Sequence, residues 1–275
     1  MATATESELA RAGDLARKIL ALPKYRSLDE ALVRRVAAEA AQRVRDRGEA
    51  LKYAKRKLHQ GFGAFVHGSP AQSVTGFIGA AQAGAADPRP AALAAMRAHA
   101  SAAERASWLE PLYDQVASWC GPAGSVADLA CGLNPLAIPW MHLAPGAAYW
   151  ACEIDAALVA ALAGLESVLP VAVTARAVDL VAAPPACRAD VALLLKTVTT
   201  LEQQRPGAAG RVLAALDCAH VIVSLPRRSL SGRREYTDDP AAAVAAAAAG
   251  SRYRLRDEAA FGNELVYHLS PEASR

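Results

Sequence analysis

From residue 126 onward, the chain alternates short apolar runs with stretches of helical periodicity, and this alternation constrains the fold more than any other feature. The runs are VADLA, AAYWACEID, VTARAVDL, DVALLLK and HVIVSL, followed by YRLRDEAAF and ELVYHLS. Buried runs separated by about 10–20 residues are typical of parallel strands joined by crossover helices. The pattern predicts an α/β fold with a doubly wound sheet, and the last two runs predict an antiparallel pair at its edge.

The first part of the chain has a helical pattern instead. SLDEALVRRVAAEAAQRV predicts a helix capped by Ser27, with Glu30 three places on as the second member of a capping box. EALKYAKRKLHQ predicts a short second helix, and residues 71–119 predict two more that lead into the sheet. A glycine-rich break separates the two parts. We therefore predict a helical domain over residues 1–70 and a sheet domain over residues 71–275.

Positive charge is concentrated in the helical domain. Residues 11–60 hold 14 Lys and Arg against 6 Asp and Glu, a local charge of +8, whereas the whole chain carries only +3. A basic domain attached to a slightly acidic remainder of the chain favours a polyanionic partner. The alternative is that these charges only lie on solvated helix faces. We predict RNA docking by this domain, at a distance from any pocket in the sheet domain. The candidate RNA-binding residues are Lys18, Arg34, Arg35, Lys52, Lys55, Arg56 and Lys57.

The sequence disfavours two classes of protein, membrane proteins and disulfide-stabilised proteins. No stretch approaches the roughly 20 apolar residues of a membrane span, and two glutamates precede any apolar run at the N-terminus. The cysteines are Cys120, Cys131, Cys152, Cys187 and Cys218. They are odd in number and contain no C-x-x-C pair, which predicts reduced thiols in a cytoplasmic protein without a metal cluster.

Acidic side chains and a glycine turn follow three successive predicted strands. In DLACG the first strand ends at Asp128, and Gly132 allows the backbone to come close to a ligand. CEID places Glu153 where a carboxylate can accept hydrogen bonds from ribose hydroxyls, and VDL places Asp179 where it can accept from an adenine amine. Each acid alone is more often a strand-end cap, but together they indicate a nucleoside site.

The chain lacks the motifs that bind phosphate groups. It contains no G-x-G-x-x-G sequence and no Walker lysine, which makes a dinucleotide or ATP less favoured. S-adenosylmethionine fits better, because its adenosine carries no phosphate that would need a glycine-rich cradle. The sequence therefore predicts this cofactor, with S-adenosylhomocysteine as its product.

Five motifs resemble a known family, the aminoglycoside-resistance methyltransferases that modify N7 of a guanosine in 16S ribosomal RNA. The motifs are HASAAER (99–105), DLACGLNPLA (128–137), LLLKT (193–197), SLPRRSL (224–230) and GNELVY (262–267). The resemblance extends over nearly the whole chain. It implies a Rossmann-like class I methyltransferase sheet with an N-terminal helical domain.

The resemblance also implies roles for individual residues. Arg105 would pair with the methionine carboxylate of the cofactor, a role that suits a planar guanidinium. Glu153 would hold the ribose, and Asp179 with Leu180 the adenine. Phe62 would close over the pocket, or serve only as a hydrophobic staple. The other cofactor contacts would come from His99, Ala100, Ser101, Ala130, Gly132, Ile154, Leu195 and Gln204.

Two segments depart from the family's pattern. Residues 101–105 read Ser-Ala-Ala-Glu-Arg where the family usually has Ser-Thr-x-Glu-Arg, so one hydroxyl is missing. Residues 229–250 read SLSGRREYTDDPAAAVAAAAAG, without the family's Gly-Lys-Gly-Met-like stretch. The second departure bears on how the target base is held, and leaves the cofactor site unaffected.

The implied chemistry requires little of the protein. Guanine N7 is an unprotonated lone pair, so no general base is needed, and catalysis would come from in-line positioning of a base removed from its stack. We therefore assign no acid or base. The candidates for the rim that faces the base are Lys196, Arg227, Arg228 and Asn263, with solvated loop charges as the alternative.

Three functions remain open from the sequence. The leading one is methylation of N7 of a guanosine in helix 44 of 16S ribosomal RNA, acting as a monomer on the 30S subunit and giving resistance to kanamycin- and gentamicin-type drugs. A methyltransferase for a small molecule would leave the basic module unexplained. A catalytically silent RNA-binding protein would leave Arg105, Glu153 and Asp179 unexplained.

Overall fold

The computed structural model describes residues 6–63, 68–84, 86–227 and 239–272. Within these ranges the helices are α1 (Glu6–Leu20), α2 (Glu30–Arg43), α3 (Arg47–Leu58), α4 (Pro70–Gln82), α5 (Arg89–Met96), α6 (Ala100–Arg105), α7 (Leu109–Cys120), α8 (Ala156–Ala163), α9 (Val198–Gln204), α10 (Ala208–Ala215) and α11 (Pro240–Ala248). The strands are β1 (Ser125–Leu129), β2 (Ala148–Glu153), β3 (Ala172–Ala177), β4 (Arg188–Leu195), β5 (Asp217–Pro226), β6 (Tyr253–Phe261) and β7 (Glu264–Pro271).

The strands form one sheet in the order β3-β2-β1-β4-β5-β7-β6. The first five of these pair in parallel, and β7 pairs antiparallel with both β5 and β6. One apolar cluster joins one face of the sheet to α4, α5, α7 and α8, and a second joins the other face to α9, α10 and α11. The predicted doubly wound sheet with an antiparallel edge pair is confirmed.

The N-terminal helices have a small core of their own. Ile19, Val33, Val36 and Leu58 are buried between α1, α2 and α3. The predicted cap of α2 is wrong, because the side chain of Asp29 accepts the hydrogen bond from the backbone N–H of Leu32 at 3.0 Å. Both residue types cap helices well, and the one nearer the first turn takes the role.

Residues 71–119 contain four helices rather than the two predicted. Gly84, at φ +89°, and Pro88 separate α4 from α5. Tighter three-residue turns then end α5 and α6, since the N–H of His99 donates to the carbonyl of Met96 and that of Trp108 to the carbonyl of Arg105. Apolar spacing alone does not show such interruptions, because the residues on either side of each turn still face one core.

The helical domain packs directly against the sheet domain, and we call this contact the domain junction. The N–H of Asp29 donates to the carbonyl of Ile154 at 3.0 Å, and the N–H of Ala156 donates to the carbonyl of Ser27 at 2.8 Å. These bonds fasten the start of α2 to the end of β2. The expectation that the helical domain lies apart from the sheet's ligand edge is therefore wrong.

No helix among the described residues combines the length and the apolar character that a membrane crossing requires.

Gly262→Ala should lower the free energy of unfolding by about 2–4 kcal/mol. Gly262 is the first of two residues that join β6 to β7, with φ +53°, and a Cβ there would lie 2.6 Å from the ring of Trp108. Gly146→Ala is the matched control, because Gly146 has φ +72° but a Cβ there would have no other atom within 4 Å. Urea unfolding of both variants measures the difference, and equal losses would show that the Trp108 contact contributes nothing.

Candidate functional site

In the turn after β1, two residues have a left-handed backbone conformation. Ala130 has φ +55° and Gly132 has φ +52°. A Cβ on Gly132 would lie 3.1 Å from the ring of His99, so glycine suits this position for both backbone and space. The N–H of Gly132 donates to Oε2 of Glu153 at 2.8 Å, which ties the turn to the end of β2.

The Glu153 carboxylate is held from two sides. Its Oε1 accepts from the N–H of Ile154 at 2.6 Å, while Oε2 accepts from Gly132. Burial raises the pKa of Glu153, and these backbone donors oppose that rise. Each oxygen still has lone-pair capacity, so the group can accept hydrogen bonds from a ligand's hydroxyl groups.

A cleft follows the carboxyl ends of the strands, in two adjoining parts. Both parts are lined by Gly61, Phe62, Ala130, Ile154, Val178, Thr197 and Thr200. The first part is also lined by Pro70, His99, Ser101, Glu153, Asp155, Leu158, Leu195 and Lys196. The second is also lined by Leu32, Arg35, Lys57, Leu58, Asp179, Leu180, Val181, Leu201 and Gln204. The cleft therefore brings together the predicted ribose and adenine acids, and the helical domain forms one of its walls.

Asp179 lies in the second part of the cleft and is paired across the domain junction. Arg35 donates from Nε to Oδ2 of Asp179 at 2.6 Å, and the N–H of Val181 donates to Oδ1 at 3.0 Å. The side chain of Arg35 is largely buried by this pair. In this structure the charge of Arg35 is paired within the protein, and its predicted contact with RNA stays a prediction.

Arg105 lies behind the cleft and does not line either part of it. Its side chain is 3% exposed, and Nη2 donates to Oε1 of Glu264, whose side chain is fully buried, at 2.7 Å. Nη1 also donates to Oδ1 of Asn134 at 3.3 Å. The carboxylate partner of Arg105 in this structure is therefore Glu264, and pairing of Arg105 with the methionine carboxylate of a cofactor stays a prediction.

Lys196 is a cleft residue whose ammonium group turns inward. It has φ +57°, and its side chain, 4% exposed, pairs with Glu104 and lies 3.6 Å from Oε2 of Glu264. Asn263 donates from Nδ2 to the other oxygen of Glu104 at 3.2 Å. Lys196 is therefore part of a buried ion network beside the cleft, and its place on the rim that faces the base stays a prediction.

Of the other two rim candidates, the structure describes Arg227, which directly follows β5. Arg227 is exposed, and its N–H donates to the carbonyl of Asn263 at 3.0 Å. Arg228 lies outside the described residues. Two other residues that were predicted to contact the cofactor, Ala100 and Gly132, do not line the cleft. Ala100 is at the start of α6, and the N–H of Gly132 donates to Glu153, which does line the cleft.

A second buried network supports the turn after β1. Asp128 accepts from the hydroxyl of Tyr149 at 2.6 Å and from Nδ2 of Asn134 at 2.9 Å. Burial raises the pKa of Asp128 to about 6, against the effect of these two donors. The hydroxyl of Tyr113 donates to Oδ1 of Asn134 at 2.7 Å, which links this network to Arg105.

Most of the predicted RNA-binding residues are exposed on the helical domain. Arg56 and Arg43 lie 5.5 Å and 6.0 Å from the ring centre of Tyr53, so they form a compact basic group around one aromatic ring. Lys57 differs, because its Nζ donates to the carbonyls of Gln203 and Gln204 at the domain junction. The exposed candidates are Lys18, Arg34, Lys52, Lys55 and Arg56.

Sequence reasoning missed several residues of the site. Glu264 and Glu104 lie inside the motifs GNELVY and HASAAER, yet their pairing with Arg105 and Lys196 could not be seen in the sequence. Thr197 is the second residue after β4 and lines both parts of the cleft. Its position after a buried strand is the signal that could have identified it.

Comparison with known proteins identifies the family. The family model described as "Ribosomal RNA methyltransferase (FmrO)" matches residues 22–268. The chain belongs to this family. A relative from Micromonospora olivasterospora, named 16S rRNA (guanine(1405)-N(7))-methyltransferase, is 58% identical over 258 residues, covering 93% of this chain and 87% of the relative. A relative of the same name from Frankia casuarinae is 39% identical and covers 89% of this chain and 88% of its own length.

Solved structures support the same assignment. The 16S rRNA methyltransferase RmtF, in complex with S-adenosyl-L-homocysteine, superimposes with a TM-score of 0.80 at 27% identity, over 98% of this chain and all of RmtF. The 16S rRNA methylase RmtB gives a TM-score of 0.77 at 29% identity, over 95% of this chain and 98% of RmtB. The predicted fold, a class I methyltransferase sheet with an N-terminal helical domain, is confirmed for this FmrO-family chain.

Proposed function

We propose that this chain transfers a methyl group from S-adenosylmethionine to N7 of a guanosine of 16S ribosomal RNA, in helix 44 of the decoding region. The relatives from Micromonospora and Frankia carry the name of that activity. The feature of the chain itself that carries the proposal is Glu153, held at the floor of the cleft by the turn after β1. A carboxylate in that position suits the ribose of an adenosine ligand.

The residues of the cleft fit this cofactor. Both oxygens of Glu153 can accept from ribose hydroxyls, and Asp179 with Leu180 lies in the adjoining part, where an adenine would reach. Apolar side chains from Phe62, Leu195 and Ile154 line the walls between polar groups, as is usual for sites that bury a flat ligand. Nothing in the described part of the cleft resembles a phosphate cradle, which agrees with an adenosine that carries no phosphate.

The protein's contribution to the reaction is positioning. When bound, S-adenosylmethionine supplies an electrophilic methyl group and leaves as S-adenosylhomocysteine. Guanine N7 offers a lone pair without a proton, so no residue has to act as a base. The cleft residues would hold the cofactor's ribose and adenine and exclude water, and Arg227 and Asn263 would face a base taken out of its stack.

Glu153→Ala should weaken cofactor binding by about 1–3 kcal/mol, the cost of losing a charged hydrogen-bond partner. Asp179→Ala should have an effect of similar size. Glu153→Gln keeps one acceptor oxygen for the backbone donors and guards against a folding defect, and Glu166→Ala removes an exposed carboxylate as the matched control. Calorimetric titration with S-adenosylmethionine measures the change, and unchanged affinity in both cleft variants would refute the assignment of the cofactor site.

The exposed cations of the helical domain support docking on a polyanion. Lys52, Lys55 and Arg56 are exposed and line neither part of the cleft, so they can neutralise phosphates without disturbing it. Leu9 is the large apolar side chain that is exposed among the described residues, at 61%, which favours a monomer. We propose that the monomer acts in the cytoplasm, on the assembled 30S subunit.

Transfer of a labelled methyl group distinguishes the candidate functions. Purified 30S subunits and naked 16S ribosomal RNA are incubated with the chain and with cofactor carrying a labelled methyl group. Label in one guanosine, mapped by the chain cleavage that 7-methylguanosine undergoes, supports the proposal. Tight subunit binding without label would support a silent RNA-binding protein, and label confined to small molecules would support the other alternative.

Expression in a sensitive bacterium should protect against kanamycin and gentamicin, because the N7 methyl would obstruct their binding. It should not protect against apramycin, which depends on a different nucleotide of the same region. Minimum inhibitory concentrations measure both effects, with the Glu153→Ala variant as a control that is expressed but has reduced cofactor affinity. Resistance to apramycin would indicate an adenosine target and overturn the base assignment.

A further inference from the structure

A cluster of three metal-binding side chains lies away from the cleft. Cys120 ends α7, His220 lies in the first half of β5, and His268 lies on β7. Their ligand atoms all lie within 4.8 Å of one another. His220 and His268 share one face of the antiparallel β5–β7 pair, since Ile222 pairs with His268 two residues further along β5. Three different elements therefore bring thiol and imidazole groups to one point.

We propose that Cys120, His220 and His268 bind a zinc ion. One thiolate and two imidazoles are the nitrogen and sulfur ligands that Zn²⁺ prefers, and three protein ligands with a water molecule in the fourth position complete a tetrahedral site. The cluster is only partly buried, because Cys120 and His220 keep some exposure while His268 is buried. The cluster is therefore not closed off from solvent.

The distances fit with little movement. Ligand atoms of a tetrahedral zinc site are about 3.3–3.6 Å apart. Nδ1 of His220 and Nε2 of His268 are now hydrogen-bonded at 2.9 Å, so they would separate by roughly half an ångström around an ion. The thiol Sγ of Cys120, within 4.8 Å of both, would move inward by rotation about its side-chain bonds.

Neighbouring groups favour the tautomer and the ring orientation in which His268 can bind a metal ion. Oδ2 of Asp257 lies 3.4 Å from Nδ1 of His268, which favours a proton on Nδ1 and a free lone pair on Nε2, the atom that faces the cluster. Trp119 stacks on the same ring with centroids 5.5 Å apart and fixes its orientation. A carboxylate behind a ligating histidine and a fixed ring plane are the usual support of a metal ligand.

The three ligands would bind the ion as one thiolate and two neutral imidazoles. A cysteine binds Zn²⁺ as the thiolate, so binding would displace the proton of the Cys120 thiol to solvent. With Nδ1 of His220 bound to the ion, the proton of that imidazole would lie on Nε2, which leaves both imidazoles neutral. The bound ion would then join the end of α7 to β5 and β7, and it would stabilise the folded chain by binding it in preference to the unfolded one.

Metal titration of the full chain, prepared without a histidine tag and treated with a chelator, tests the proposal. Zn²⁺ should bind at one equivalent in calorimetry and raise Tm by about 5 °C at saturation. Co²⁺ should give the visible bands of a tetrahedral ion together with thiolate-to-metal absorption. Cys120→Ala should abolish the thiolate absorption, whereas Cys187→Ala, which removes a partly buried thiol outside the cluster, should leave it unchanged.

His220→Gln provides a second variant at a half-buried position, in case loss of the thiol impairs folding. It should weaken Zn²⁺ binding at least tenfold while circular dichroism remains that of the native chain. Failure of the unmodified chain to bind Zn²⁺ stoichiometrically, or equal binding by Cys120→Ala, would overturn the proposal and leave a hydrogen-bonded histidine pair beside a packed thiol. Neither result depends on methyl transfer.

Discussion

Glu264→Ala is expected to lower the free energy of unfolding by about 3–5 kcal/mol. The variant leaves the buried guanidinium of Arg105 without its carboxylate and removes one of the two acids beside Lys196. It also removes the acceptor for the hydroxyl of Ser224. Urea denaturation followed by circular dichroism measures the loss. Glu258→Gln, an exposed change on the same hairpin, should remain within about 0.5 kcal/mol of the parent chain.

The same carboxylate predicts a pH dependence of stability. Burial alone would raise the pKa of Glu264, but Arg105 and Lys196 outweigh it and hold the pKa below its ordinary value. The stabilisation is therefore complete above the unfolded-state pKa of about 4.3 and is lost as pH falls through the lower folded-state pKa. The difference in stability between the parent chain and Glu264→Gln should shrink over that acidic range. A difference that is constant down to the lowest pH would contradict the ion-pair assignment.

Reversing three exposed cations of the helical domain should have the largest effect on subunit binding. In the Lys52→Glu, Lys55→Glu, Arg56→Glu variant, the affinity for the 30S subunit should fall roughly tenfold or more at low salt. Each lost phosphate contact should also reduce the slope of log affinity against log salt by about 1. Filter binding or sedimentation over a salt series measures both quantities.

The matched control makes the same charge change at the opposite edge of the sheet. Arg188, Arg252 and Arg254 lie beside the amino end of β5, in exposed ion pairs that contribute little to stability. Their replacement by glutamate should leave subunit affinity nearly unchanged. Normal binding by the helical-domain variant would show that its basic surface is only solvated, and that docking runs through the sheet domain. Cofactor affinity should be unchanged in both variants, because none of the six residues lines the cleft.

The sheet and two acidic residues at its ligand edge could be predicted, because each is indicated by a short stretch of neighbouring residues. A short apolar run marks each buried strand, and a parallel sheet puts the residues after each run at one edge. Glu153 and Asp179 follow directly from that rule. The hairpin of β6 and β7 was also visible, since two apolar runs are separated by a Gly-Asn pair.

The ion pairs of the site could not be predicted, because they depend on packing between distant segments. Arg105 meets a partner 159 positions away, and Arg35 meets Asp179 across 144 positions. Their sequence contexts, a short helix and a basic helix face, suit solvent-exposed cations equally well. The prediction of no metal cluster rested on the missing C-x-x-C pair and stays a prediction, since ligands from three separate elements leave no such spacing in the sequence.

Asp179 belongs both to the cleft and to the domain junction, and this double membership has a thermodynamic consequence. A ligand group that donates to the Asp179 carboxylate competes with Arg35 for the same acceptor. By thermodynamic linkage, the two effects are equal in size. If such a ligand weakens the domain junction by a given factor, the intact junction lowers the affinity for the ligand by the same factor. Occupancy of the cleft and the placement of the basic helices are thus linked variables, so a mutation in one domain can alter the equilibrium measured in the other.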